Sequence, residues 1–178
     1  MMTDRVPVHL TPSIVALGSD EYKAISAWPY SDAFVPRLLT DDIPYGLVFS
    51  QCRMWVYKDP AGQIVGFGTL DLCRVHDTFT SGQLHTYIPL LAVNPSMQGK
   101  GYGTSILRHL TDEAAIAATQ SSVCHDMLFL DVYTSSEPAI KMYEKSGFVV
   151  VSPSPILDEL EGGKPYIIMA RRVSVASA

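Results

Sequence analysis

From Leu90 to Thr104 the chain reads Leu-Leu-Ala-Val-Asn-Pro-Ser-Met-Gln-Gly-Lys-Gly-Tyr-Gly-Thr, and few folds accommodate such a run. Leu90 to Val93 has the pattern of a buried strand. Asn94-Pro95 stops it, because proline has no amide hydrogen and biases its predecessor away from helix. Three glycines follow in five residues. A helical apolar period then begins at Ile106, Leu107 and Leu110 and continues through Ala114, Ala117 and Ala118. Strand, glycine turn and helix together gather free N–H groups at the positive end of a helix dipole, which is a place for a phosphate. A nucleotide P-loop requires Lys and then Ser or Thr after the last glycine, but Thr104 follows Gly103 directly. In the dinucleotide fingerprint the third glycine falls one residue later than Gly103 does.

The pattern that fits is Gln98-x-x-Gly101-x-Gly103, and a second segment belongs with it. Leu128-Phe129-Leu130-Asp131-Val132 reads as another buried strand. It leads through Thr134 to Pro138 into Ala139-Ile140-Lys141-Met142-Tyr143-Glu144-Lys145-Ser146-Gly147-Phe148. Gly147 is placed as a left-handed helix stop. The two segments, about 40 residues apart, resemble the cofactor motifs of the GNAT superfamily of acetyl-CoA-dependent N-acetyltransferases. They cover about residues 88 to 151, within a cofactor half of about 85–151 of a single domain spanning 1–178.

Composition narrows the alternatives. The chain has 178 residues, 47% apolar and 17% charged, enough for one sizeable core. Its mean hydropathy of +0.15 is high, yet no apolar run reaches the ~20 residues that span a bilayer. The first ten residues, with Asp4, Arg5, Pro7 and His9, lack the pattern of a signal peptide. Cys52, Cys73 and Cys124 are scattered, which points away from zinc and disulfides and toward buried thiols in a cytoplasmic protein. A net charge of −5 with 13 Lys and Arg argues against nucleic acid and mildly favours a cationic partner.

The expected elements are a strand over Val6–Leu10, helices over Ser19–Trp28 and Asp32–Leu39, and a hairpin of Cys52–Lys58 with Ile64–Leu72. A polar connection (Cys73–Leu84) and a strand over His85–Val93 follow. The last strand, Tyr166–Arg172, comes after a loop over Ser152–Lys164, and Val173–Ala178 is expected to fray. The fold class is α/β (α+β), a GNAT-type mixed, mostly antiparallel sheet with helices on both faces.

The resemblance implies that Gln98, Gly99, Lys100, Gly101, Tyr102, Gly103 and Thr104 surround the pyrophosphate of acetyl-CoA. It implies that the main chain of Leu91, Ala92 and Val93 pairs with the pantetheine arm, and that Ser136 and Ala139 lie near the cofactor. Ser136 stands where many relatives have asparagine. Pro89 suits the strand irregularity that admits the arm, but it occupies a point where many relatives carry an acidic or polar group. Tyr143 matches the tyrosine that protonates the departing thiolate. An alkylamine of pKa near 10.4 is neutral on the order of one part in a thousand at pH 7, so a proton acceptor is needed. His85, Tyr87 and Asp71 are the candidates, directly or through water. No cysteine lies in either motif, so direct attack by a primary amine, from a small molecule or peptide, is the expected reaction. A homodimer is compatible with the family. The rival reading is a non-catalytic acyl-CoA sensor of the same fold.

Overall fold

A computed structural model describes residues 8–30, 52–75, 84–120, 126–159 and 162–173. In chain order the elements are β1 (Thr11–Ile14), α1 (Asp20–Ser26), β2 (Cys52–Lys58), β3 (Ile64–Val75), β4 (Leu84–Ile88) and β5 (Leu91–Val93). Then come a 3-10 turn (Pro95–Met97), α2 (Tyr102–Gln120), β6 (Met127–Tyr133), α3 (Glu137–Lys145), β7 (Val149–Val150), β8 (Ile156–Asp158) and β9 (Lys164–Arg172). They form two compact units, one of residues 1–69 with 90–109, the other of residues 70–89 with 110–178. The strands β3 and α2's helix each contribute a segment to both.

In the first unit β1 lies antiparallel to β2, β2 neighbours β3, and β5 runs antiparallel to β3. The local chemistry explains the turns. Ser19 Oγ accepts the Tyr22 N–H at 3.2 Å and caps α1, whose first turn carries Asp20 and Glu21. Asp59 Oδ1 accepts the N–H groups of Ala61 and Gln63, each at 3.0 Å, and closes the β2–β3 hairpin. Val15, Tyr22, Ile25, Met54, Val56, Phe67 and Leu90 form the core. One close approach sets its limits. A methyl group on Gly66 would run into Ile106 Cδ1 of α2 and lie 2.8 Å from the Ala92 carbonyl oxygen of β5.

In the second unit β4 and β6 run parallel, while β3–β4, β6–β9, β7–β9 and β8–β9 are antiparallel. The sheet is thus mixed and mostly antiparallel, as expected. Tyr87, Phe129, Ile168 and Ala170 form a core cluster on one face, with Met127, Val151, Ile156 and Tyr166 against it.

The structure corrects several boundaries. Among the described residues the first strand is Thr11–Ile14; residues 8–10 of the expected strand Val6–Leu10 are not in a strand, and Val6 and Pro7 lie outside the described residues. Thr11–Ile14 contains Pro12, which an edge strand tolerates because no inner ladder bond is lost. The expected strand His85–Val93 is two strands, interrupted at Pro89 and Leu90. The hairpin partner runs to Val75, shortening the polar connection, and the loop before β9 contains β8. Val173 is buried and donates its N–H to the Asp126 carbonyl at 2.7 Å, so it belongs to the fold and not to a frayed end. The expected helix Asp32–Leu39 lies outside the described residues. Cys52 is a buried thiol.

Gly66→Ala should lower stability by about 1–3 kcal/mol, the usual cost of overpacking a filled core. Denaturant unfolding measures it; a change below a few tenths of a kcal/mol would show that α2 and β5 yield without cost.

Candidate active site

In the first unit, β5 has strand pairing on one edge. Its partner is β3, in the register Gly66–Val93, Phe67–Ala92 and Gly68–Leu91, and no described strand pairs with its other edge. Thr69 N–H donates to the Leu90 carbonyl and Asn94 N–H to the Val65 carbonyl, each at 2.9 Å. Main-chain direction alternates along an antiparallel strand. The main-chain groups of Leu90, Ala92 and Asn94 therefore turn toward β3, and those of Leu91 and Val93 turn toward the unpaired edge. Of the three residues assigned to the pantetheine arm, Leu91 and Val93 present N–H and C=O groups outward, while Ala92 presents them to β3.

The strand ends at Asn94, whose Oδ1 accepts from Ser96 N–H at 3.1 Å and Ser96 Oγ at 2.8 Å, with Pro95 opening the 3-10 turn. Gly99 and Gly101 then adopt φ of 77° and 89°, a left-handed backbone that side chains disfavour. The first hydrogen bond into α2 is Ser105 N–H to the Gly101 carbonyl at 3.3 Å. The N–H groups of Tyr102, Gly103 and Thr104 consequently have no acceptor within the helix. No acidic side chain lies in that first turn, so nothing competes there with an anion. Gln98, Gly99, Lys100 and Thr104 are exposed, and Lys100 can add positive charge. The residues present fit a pyrophosphate.

The second unit collects the candidate proton acceptors on one sheet face. Asp71 is the cross-strand partner of Tyr87, Tyr87 is the partner of Phe129, and His85 lies two residues before Tyr87. The His85 ring meets Phe129 edge-on, 4.9 Å between centroids. The Asp71–Tyr87 pair adjoins an irregularity: Leu72 and Cys73 separate it from the Arg74–His85 pair on β3, against Thr86 alone on β4. Bulges of this kind re-aim side chains beside sites. His85 and Tyr87 are buried, whereas Asp71 is half-buried. A fourth group shares the face and escaped the sequence analysis. Asp131, two residues beyond Phe129 on β6, is exposed between buried Leu130 and Val132, one residue past the last β4 partner. Its signal was a lone carboxylate within an apolar strand.

Tyr143 sits on α3, buried, with its ring 5.8 Å from that of Phe148. The helix end holds it. Gly147 has φ 84°, and Ser146 and Phe148 N–H both donate to the Tyr143 carbonyl, at 2.9 and 3.1 Å. Ser136 opens α3 with its carbonyl, accepting from Ala139 and Ile140, and its hydroxyl makes no capping bond. The hydroxyl remains available to a ligand; the Ala139 N–H is committed to the helix.

The acetyltransferase (GNAT) family model matches residues 18–148. The chain belongs to the GNAT acetyltransferase family. This GNAT chain is an acyltransferase, with acetyl-CoA as cosubstrate. No curated protein sequence matches the chain. Among solved structures, its fold is similar to that of spermidine N-acetyltransferase from Vibrio cholerae in complex with CoA and spermine. The TM-score is 0.66 at 17% identity, over 92% of this chain and 95% of that one. It is also similar to a protein provisionally described as a phosphinothricin N-acetyltransferase, with TM-score 0.70 and 18% identity over 94% and 100% of the two chains. Among the described residues of this GNAT chain, no helix is long and apolar enough to cross a membrane.

Burial pushes the Tyr143 hydroxyl up to about 12 from its ordinary value of 10.0. The phenol is therefore neutral throughout the working range. The fold favours the neutral form, so the contribution to stability is whole below pH 10 and is lost as pH rises toward 12. The stability difference between the parent and Tyr143→Phe should shift by about 2–3 kcal/mol against the parent between pH 9 and pH 12. Denaturant unfolding at several pH values measures this; a difference independent of pH would place the phenol in water.

Proposed function

We propose that the chain transfers the acetyl group of acetyl-CoA to a primary amine of a small molecule or peptide by direct attack on the thioester. The observation that carries the reading is a strand with one unpaired edge running straight into a positive-φ glycine turn and an acid-free helix start. That edge supplies amide-binding groups, and the turn supplies N–H groups for the pyrophosphate. An amine acceptor is favoured by the carboxylates of Asp71 and Asp131 on one face, the net charge of −5, and relatives described as acting on spermidine. Residues 1–178 are read as one such domain, in the cytoplasm, where the scattered thiols stay reduced.

In the reaction a C–N bond forms, the C–S bond breaks, the nitrogen loses a proton and the thiolate gains one. Asp131 and Asp71 attract the ammonium and, with Tyr87 and His85, pass its proton to water. Tyr143 acts on the thiolate. With its hydroxyl near 12 and a thiol near 8.5, complete proton transfer from the phenol is uphill by about 5 kcal/mol. The favoured role is a hydrogen bond donated to the sulfur as charge develops, worth about 1.5–3 kcal/mol.

Tyr143→Phe should therefore lower kcat roughly 10- to 100-fold with the dissociation constant for coenzyme A nearly unchanged. Asp131→Asn should raise the KM for the amine, with little effect on coenzyme A. Steady-state kinetics on an amine identified by screening separates the two; full turnover in Tyr143→Phe would remove that residue from the reaction.

A further inference from the structure

The break between β4 and β5 is held by a side chain standing in for a ladder group. In a regular antiparallel pair, Leu90 N–H would donate to the Thr69 carbonyl. It donates instead to the Thr69 hydroxyl at 3.0 Å, while that hydroxyl and the Thr69 N–H both donate to the Leu90 carbonyl, at 3.2 and 2.9 Å. Thr69 is fully buried, so water cannot replace these bonds. Pro89 precedes Leu90 and has no N–H of its own. Between the Thr69–Leu90 and Asp71–Tyr87 pairs, Leu70 alone intervenes on β3, against Ile88 and Pro89 on the other strand. The hydroxyl lengthens the reach of Thr69 across that extra residue.

We infer that Thr69 is a positioning residue for the cofactor: its hydroxyl fixes the phase of β5, so that Leu91 and Val93 turn their main-chain groups to the unpaired edge. A one-residue change of phase would instead turn Leu90 and Ala92 outward and remove the match to the amide groups of the arm. This rests on the reading that the β5 edge receives acetyl-CoA. Valine has nearly the same shape as threonine but no hydroxyl, and serine keeps the hydroxyl, so the two variants separate chemistry from packing.

The test uses the full chain with desulfo-coenzyme A as probe, calorimetry for affinity and amide hydrogen exchange for geometry. Thr69→Val should bind about 10-fold more weakly or worse, with Thr69→Ser within about threefold of the parent and both variants folded by circular dichroism. In the parent, the Leu90 amide should be as protected as that of Asn94, and the probe should slow exchange at Leu91 and Val93. Parental affinity in Thr69→Val would overturn the inference. If Thr69→Val does not fold, the parent decides: fast exchange at Leu90, or no slowing at Leu91 and Val93 under bound probe, overturns it equally. A parent that does not bind the probe at all, with Leu90 still protected, would sink the cofactor reading and leave the Thr69–Leu90 geometry confirmed.

Discussion

A strand paired along one edge only presents a row of N–H and C=O groups that need partners, which most sheets cover, shorten or blunt. β5 is three residues long, and among the described strands only β3 pairs with it. Its contacts with β3 include the Gly66 position, where the backbone of β5 and Ile106 of α2 come too close for a side chain. The same packing fixes where α2 begins, and hence where its N–H groups point. The glycine turn proposed for the pyrophosphate is thus placed by apolar packing on the glycine of a neighbouring strand together with the Asn94–Ser96 bonds at its entry.

The second unit solves a different problem. A face carrying Asp71, His85, Tyr87 and Asp131 must keep polar groups beside an apolar cluster of Phe129, Ile168 and Ala170. Grading their burial achieves this, from the enclosed His85 and Tyr87 to the exposed Asp131. In the proposed reaction the outer carboxylates, Asp71 and Asp131, would attract a cationic amine. Tyr143 works by the opposite principle. Enclosure raises its pKa, which makes it a poor acid but keeps its hydroxyl protonated and able to donate.

Much of this was legible in the sequence where local chemistry decides structure. Cys52–Lys58 is a strand at the expected boundaries because its apolar run is flanked by Asp59-Pro60-Ala61-Gly62. The period from Ile106 to Ala118 gave α2, and Gly147 ends α3 in the left-handed conformation expected of it. Pro89 announced an irregularity, and one is there. The failures share a cause. The expected first strand ends at Leu10, yet among the described residues the pairing with β2 is made by Thr11–Ile14, which only the partner strand could reveal. β8 is three residues held by β9 and carries no period of its own. Asp131 looked like one more strand residue, because exposure on a sheet face depends on where the neighbouring strand stops. The role of Thr69 has no signature in sequence at all, since a hydroxyl replacing a carbonyl is a matter of register.

The central claim is that the β5 edge and the glycine turn hold acetyl-CoA by its arm and pyrophosphate, and thermal unfolding with added ligand tests it most directly. At one hundred times its dissociation constant a bound ligand adds about 2.7 kcal/mol, or roughly 5–10 °C in a domain of this size. Coenzyme A and its desulfo analogue should both give that shift, because neither contact involves the sulfur, and ATP and NAD should give none. No shift with either coenzyme A species, or an equal shift with ATP, would contradict the account.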